Sequence, residues 1–397
     1  MRALKRLFTN RHKPSADPGP RQDNSVTAAS DGSEIVTSLD SPQYHLVACG
    51  ETNTFSGLVL SLGKRTVRNL TVSCRGEVIG TFPVDSPREN VAQLLPHIPG
   101  AGRCGFDFEL YVEADAEEYI FEGVFDDSSR ELLFRYDFSF VRQAAHKFHA
   151  MKKIIDGISL PDGALVCLTQ GHHDVKAYLD SIIPCIMNIR RYVQHSGIDF
   201  DRLGTVLDFG CGSGRALVGW YAENPERRLF GCDLSEELIS WANRHLPGSL
   251  HLDRNSLTPP LPYPDHAFDM IQALSVFTHL ALDTQRLWLQ EFKRILKPGG
   301  YLLVTLHGEI YLRLTGSGLE AFHQSGYSEN NSSVEGSNGF ATFHAPSFVR
   351  KLFDGFEILG HFPMGKIANE RILFQIASQQ DVYLLQYTAA AMGREEI

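Results

Sequence analysis

The sequence predicts an all-β unit followed by an α/β unit whose mainly parallel sheet carries helices on both faces. Three observations carry this. Between residues 43 and 138 apolar and polar side chains alternate at the strand period. From about Val141 the apolar period becomes helical. Beyond Thr205 short apolar runs alternate with amphipathic stretches, as βαβ units require.

Residues 1–40 are rich in Pro, Ser, Asp, Gly and Arg without an apolar period, which predicts a disordered tail. Residues 41–140 form the β unit, expected as a sandwich. Phe106, Phe108, Leu110 and Val112 share one face of a strand, with Asp107, Glu109 and Glu113 on the other. Leu132, Phe134, Tyr136 and Phe138 repeat the pattern, and Arg75-Gly76 joins two runs as a hairpin would. Residues 141–200 read as a helical lead-in, with stripes Phe148, Met151, Ile154, Ile155 and Tyr178, Ile182, Ile186, Ile189. Between these stripes 167–173 reads as a loop, and His172-His173-Asp174 either contacts substrate or caps the next helix. From 201 to 390 the predicted strands are 206–209, 229–232, 270–274 and 301–306. A helix carrying Trp288, Phe292, Ile295 and Leu296 should stop at Lys297-Pro298-Gly299-Gly300.

Composition narrows the chemistry. Over 397 residues, 37 Lys+Arg against 47 Asp+Glu give a net charge of −10, which disfavours binding a polyphosphate backbone by charge and predicts no nucleic-acid partner. The seven cysteines are scattered, with no C-x-x-C pair, so neither a disulfide framework nor a zinc site is expected, and a reducing, cytoplasmic location fits. No run of about 18 apolar residues suits a membrane span.

The strongest local signal is Val206-Leu207-Asp208-Phe209-Gly210-Cys211-Gly212-Ser213-Gly214-Arg215, an apolar strand running into alternating glycines that admit a sharp turn and a close ligand. G-x-G-x-G differs from the G-x-G-x-x-G of dinucleotide binders. About 20 residues on, Asp233 ends the next strand, placed to accept both hydroxyls of a ribose, while Ser235 suits the N-cap of a helix opening with Glu236 and Glu237. Asn255 follows a third strand, then come Ser275-Val276-Phe277-Thr278-His279-Leu280 and His307-Gly308.

With this ordered set, residues 201–387 resemble the class I S-adenosylmethionine-dependent methyltransferases. The resemblance implies a Rossmann-like seven-stranded sheet with 356–362 and 381–386 as its last strands, the final one antiparallel. It implies S-adenosyl-L-methionine as cofactor, with Gly210, Gly212 and Gly214 under the methionine part and Asp208 near its amino group. Asp233 would hold the ribose, Leu234 would lie against adenine, Asn255 would meet its amino edge, and Ala273 to Ser275 would close the site. The chain is also similar to a bacterial subgroup in which a β-sandwich precedes this domain and glycosyltransferases appear alongside. That similarity implies a glycan or other small hydroxyl-bearing acceptor.

A sugar hydroxyl needs a base during attack on a methyl group, and neutral imidazole supplies one near neutral pH. His307, just past a strand's carboxyl end, is the first candidate; His279 and His344 follow, with His279 read rather as a cap of the next helix. Their wide spacing predicts no metal site. The segment 309–343, with Tyr311, Phe322 and Tyr327 in a polar run, reads as a lid or acceptor wall. Two rival readings remain open at this level: a nicotinamide-dependent oxidoreductase, and a cofactor-binding interaction module without turnover.

Overall fold

Eight strands of the N-terminal half form two antiparallel four-stranded sheets. They are β1 (Val26–Thr27), β2 (Ile35–Ser41), β3 (Glu51–Ser61), β4 (Val67–Cys74), β5 (Glu77–Pro83), β6 (Gly105–Val112), β7 (Glu118–Phe125) and β8 (Arg130–Asp137), ordered β1-β2-β3-β6 and β5-β4-β7-β8. This computed structural model describes residues 26–27, 35–41, 47–315, 318–330, 333–367 and 380–388. The alternating side chains meet between the sheets: the rings of Phe55 and Phe121 lie 5.5 Å apart, and Phe82 stacks on Phe108 at 3.7 Å. Arg75 (φ 51°) and Gly76 (φ 83°) make the two-residue turn of the expected hairpin. One expectation is corrected: β2 begins at Ile35, inside the segment read as disordered, because Ile35, Val36 and Leu39 are buried in the sheet cores. The rest of that segment, apart from β1, lies outside the described residues.

Helix α1 (Glu89–Leu94) lies between β5 and β6, and α2 (Phe138–Ile155), α3 (Gly163–Gln170), α4 (Val175–Asp180) and α5 (Ile182–His195) follow β8 in order. The stretch Cys167 to Gln170, read as loop, is helical. Asp162 starts α3 by accepting the N–H groups of Ala164 and Leu165, and Gly171 ends it at φ 76°. Asp174 caps α4 through the N–H of Ala177, so of the two roles left open for 172–174 the structure shows the cap.

The C-terminal half builds a seven-stranded sheet from β9 (Thr205–Phe209), β10 (Arg228–Asp233), β11 (Leu250–Arg254), β12 (Phe268–Ala273), β13 (Leu296–Leu306), β16 (Phe356–Phe362) and β17 (Asp381–Tyr387). Their order is β11-β10-β9-β12-β13-β17-β16, and the pairings are parallel except those of β17, which runs antiparallel to both neighbours. Between these strands lie α6 (Arg215–Glu223), α7 (Glu236–His245) and α8 (Leu282–Ile295). Every residue of β9 is buried, as a central parallel strand covered on both faces must be. Asp269 registers the sheet: its carboxylate accepts the N–H groups of Gly204 and Thr205 and pairs with Lys297. Lys297 to Gly300 is not a stop between helix and strand but a bulge within β13. The register jumps there from Phe268 opposite Leu296 to Met270 opposite Tyr301, and Gly299 (φ 77°) takes the turn.

The segment 309–343 is no simple loop. It contains α9 (Glu309–Thr315), α10 (Leu319–Ser325) and the hairpin of β14 (Tyr327–Asn330) with β15 (Ala341–His344), before α11 (Pro346–Leu352). Tyr311, Leu312, Leu314 and Phe343 share one core with Val36, Leu58 and Leu60 of β2 and β3, and Arg313 donates to the Leu62 carbonyl. The first antiparallel sheet is therefore packed directly on this insertion. Among the described residues no helix is long and apolar enough to cross a membrane.

Candidate active site

The three loop glycines all adopt positive φ: Gly210 at 77°, Gly212 at 58° and Gly214 at 85°. Each is also approached closely. A Cβ on Gly210 would stand 2.3 Å from Val276 Cγ2, one on Gly212 2.5 Å from Thr169 Cγ2, and one on Gly214 2.5 Å from Leu246 Cδ1. The loop is thus closed in by α3 on one side and by the segment after β12 on the other. Its start is held by the Cys232 carbonyl, which accepts the N–H groups of Gly210 and Cys211.

Asp233, at the carboxyl end of β10, faces this loop. Its Oδ2 accepts the Gly212 N–H at 2.8 Å and its Oδ1 the Ser235 N–H at 2.9 Å. Burial lifts the carboxyl above its ordinary range, and the N–H groups of Ser235, Gly212 and Leu234 pull it back. Ser235, not Asp233, caps α7, through the Leu238 N–H. Leu234 follows, half-buried. Asn255 is tied to Asp233 by its own N–H, donated to the Asp233 carbonyl, and its amide nitrogen donates to Ser256. Its Oδ1 is buried and accepts nothing from the described residues. Asp208 is 3% exposed; burial pushes its carboxyl up to about 7 against the opposing pull of Gln272 and Arg215.

Ala273 ends β12 and is fully buried; Ser275 beyond it has φ 62°, and its N–H donates to Thr305. The histidines separate here. His307 is fully buried at the carboxyl end of β13, stacked on Tyr311 with centroids 4.0 Å apart. The Gln380 amide nitrogen lies 3.3 Å from His307 Nε2 and donates to Ser275 Oγ at 2.8 Å, so Gln380 bridges the end of β12 to the end of β13. His279 lies 6.1 Å from His307, ring to ring. It does not cap α8, whose N-cap is Ala281; its Nδ1 instead sits 2.7 Å from the Phe340 carbonyl. His344 is adjacent to His307 only through the backbone. Its ring turns to Gln285 Oε1 at 3.0 Å, and burial pushes it down to about 3, so the chain brings His307 and His279 together and leaves His344 aside.

Sequence reasoning missed Gln380 and the pair formed by His361 and Asp381, 3.1 Å apart. Asp381 also accepts the Met364 N–H and lies so close to Gly308 that a Cβ there would stand 2.7 Å from its carboxylate. The glycine after His307 is the one signal that pointed to this contact.

Comparison with known proteins agrees with this geometry. Residues 207–304 match the family model described as a methyltransferase domain. Over 106 residues the chain is 33% identical to an uncharacterised methyltransferase of Schizosaccharomyces pombe, a match covering 24% of this chain and 37% of that protein. Over 102 residues it is 32% identical to a tRNA (carboxymethyluridine(34)-5-O)-methyltransferase of Arabidopsis thaliana, covering 25% and 23%. The chain thus spans well under half the length of these relatives. A solved S-adenosylmethionine-dependent methyltransferase of Methanosarcina mazei is similar over 51% of this chain and 97% of its own, at 19% identity and TM-score 0.38. Sheet order and glycine loop define the C-terminal half as a class I α/β methyltransferase unit. The segment 207–304 matches the methyltransferase domain, and S-adenosyl-L-methionine is the cofactor this similarity supports.

Proposed function

We propose that the protein transfers the methyl group of S-adenosylmethionine to a hydroxyl oxygen of a small acceptor, a sugar or glycan first, with His307 taking the hydroxyl proton. The observation that carries this is the bridge from Ser275 through Gln380 to His307, because Val276, the next residue, lies on Gly210. The base is thereby held beside the loop that would cradle the methionine part. The buried, unsatisfied Oδ1 of Asn255, the two carboxylates and the glycine floor fit the cofactor's amino, hydroxyl and ammonium groups. Asp233 would hold the ribose, Leu234 would lie against adenine, Asp208 would face the ammonium, and Ala273 and Ser275 would form the wall toward the acceptor.

When bound, the cofactor supplies an electrophilic methyl group on a sulfonium. The protein's part is to align the acceptor oxygen and keep water out, which the complete burial of His307 serves. Gln380 holds the ring at Nε2, and the imidazole nitrogen whose lone pair faces the acceptor would receive the hydroxyl proton as the new oxygen–carbon bond forms and the methyl–sulfur bond breaks. A radiolabelled methyl-transfer assay over a panel of sugars, glycans and other hydroxyl compounds, with RNA as a separate arm, tests the acceptor class. His307→Ala should lower turnover by about 10²–10⁴-fold with S-adenosylhomocysteine affinity unchanged. Full turnover in that variant removes His307 as the base.

A further inference from the structure

We infer that residues 333–340 form the outer wall of the cofactor site on its adenine side, a strap fastened by Glu335 and Asn338 that governs cofactor exchange. The inference rests on the cofactor reading of Leu234 and Asn255. Gly336, at φ 80°, presses its backbone onto the leucines that follow β10 and β11. A Cβ there would stand 3.0 Å from Leu234 Cδ1 and 3.4 Å from Leu257 Cδ1, and its N–H donates to the His279 carbonyl at 2.9 Å. The strap therefore crosses the strip that holds Leu234, expected against adenine, and Asn255, whose Oδ1 accepts nothing from the described residues.

Two side chains fasten it to opposite banks. Glu335 Oε1 accepts the Ala281 N–H at 2.8 Å, at the N-cap of α8, where a carboxylate suits the helix dipole. Asn338 Nδ2 donates to the Leu168 carbonyl at 3.1 Å, near the C-terminus of α3, where the last carbonyls lack helical partners. The next residue on α3, Thr169, is the one that covers Gly212. The strap thus ties the adenine side to the helix roofing the glycine loop. Just before the first fastening the apolar side chain of Val334 is 78% exposed. Phe340, at the end next to β15, is 4% exposed and holds that end, so opening of 333–339 breaks these hydrogen bonds and the Gly336 contact while Phe340 stays packed, as an exchange gate requires.

Stopped-flow and equilibrium binding of S-adenosylhomocysteine to the full chain test this. Asn338→Ala and Glu335→Ala should each speed dissociation about fivefold, the factor expected for one lost hydrogen bond, without lowering the melting temperature. Dissociation at the wild-type rate in both variants overturns the strap while leaving the cofactor reading intact. Failure of wild-type protein to bind S-adenosylhomocysteine overturns both together. Binding abolished in Asp233→Ala but present in the strap variants supports the cofactor reading separately.

Discussion

The Asp233 carboxylate accepts the Gly212 N–H at 2.8 Å, so the residue read as the ribose partner also fastens the glycine loop. With Ser235 N–H on its other oxygen, the side chain joins β10, the loop and the start of α7. A carboxylate has lone pairs to spare after two such bonds, so ribose hydroxyls can be accepted without releasing the loop. Asp233→Ala should lose S-adenosylhomocysteine binding by calorimetry and lower unfolding free energy by about 2–4 kcal/mol, since two N–H groups lose their acceptor. Unchanged binding would refute the ribose assignment even if stability fell.

Gly210 illustrates a second requirement. Its φ of 77° is unfavourable for any residue with a Cβ, and that Cβ would stand 2.3 Å from Val276 Cγ2. Gly210→Ala should cost about 2–4 kcal/mol, combining backbone strain with the overpacked contact. The double variant Gly210→Ala/Val276→Ala should recover the steric part but not the backbone part. No recovery in urea denaturation would mean that the collision is relieved elsewhere.

With Asp208 facing the cofactor's ammonium group, as proposed, cofactor binding is linked to protons. Burial holds its carboxyl near 7, against an ordinary 3.8, so a large share is protonated at pH 6.5. A cationic ligand placed beside it favours the ionised form. Binding of S-adenosylhomocysteine, which keeps the ammonium group, should then release up to about one proton at pH 6.5, and affinity should rise with pH up to about 7. Calorimetry in buffers of different ionisation enthalpy measures this directly. Equal proton release by wild type and Asp208→Asn would place the ammonium elsewhere.

The central sheet was legible because buried parallel strands announce themselves: 229–232 is a continuous apolar run and 206–209 is one broken only by Asp208, and the strands are Thr205–Phe209 and Arg228–Asp233. Ser235 could be read as a cap because that role needs only one side chain and its own next turn. What escaped depends on distant partners. The helix through Cys167 is decided by Asp162 and Gly171 at its ends, while its interior is apolar nearly all round and shows no period. The insertion 309–343 takes its shape from β2 and β3, about 250 residues earlier, as in the bond from Arg313 to Leu62. Gln380 and Asn338 act through side-chain hydrogen bonds to remote segments, which leave no spacing to read.

His344 and Asp208 are buried titratable groups with opposite consequences for stability. His344 is fully buried and held near 3, below its ordinary 6.5, with Nε2 fixed by Gln285. Between pH 6.5 and about 3 the unfolded chain takes up a proton that the folded chain refuses. Stability therefore falls as pH drops through that window, by about 1.4 kcal/mol per unit. Asp208, raised from 3.8 to about 7, gives the reverse slope: the folded chain keeps a proton that the unfolded chain has lost, so stability falls as pH rises from about 4 to 7. The two slopes oppose each other over most of this range, and removing one group should unmask the other. His344→Gln, whose amide can still reach Gln285, should leave a protein whose stability declines steadily from pH 4 to pH 7. Asp208→Asn should leave one whose stability climbs over the same interval. Urea denaturation at pH 4, 5, 6 and 7 checks both slopes, and parallel profiles for the two variants would show that neither group carries the linkage.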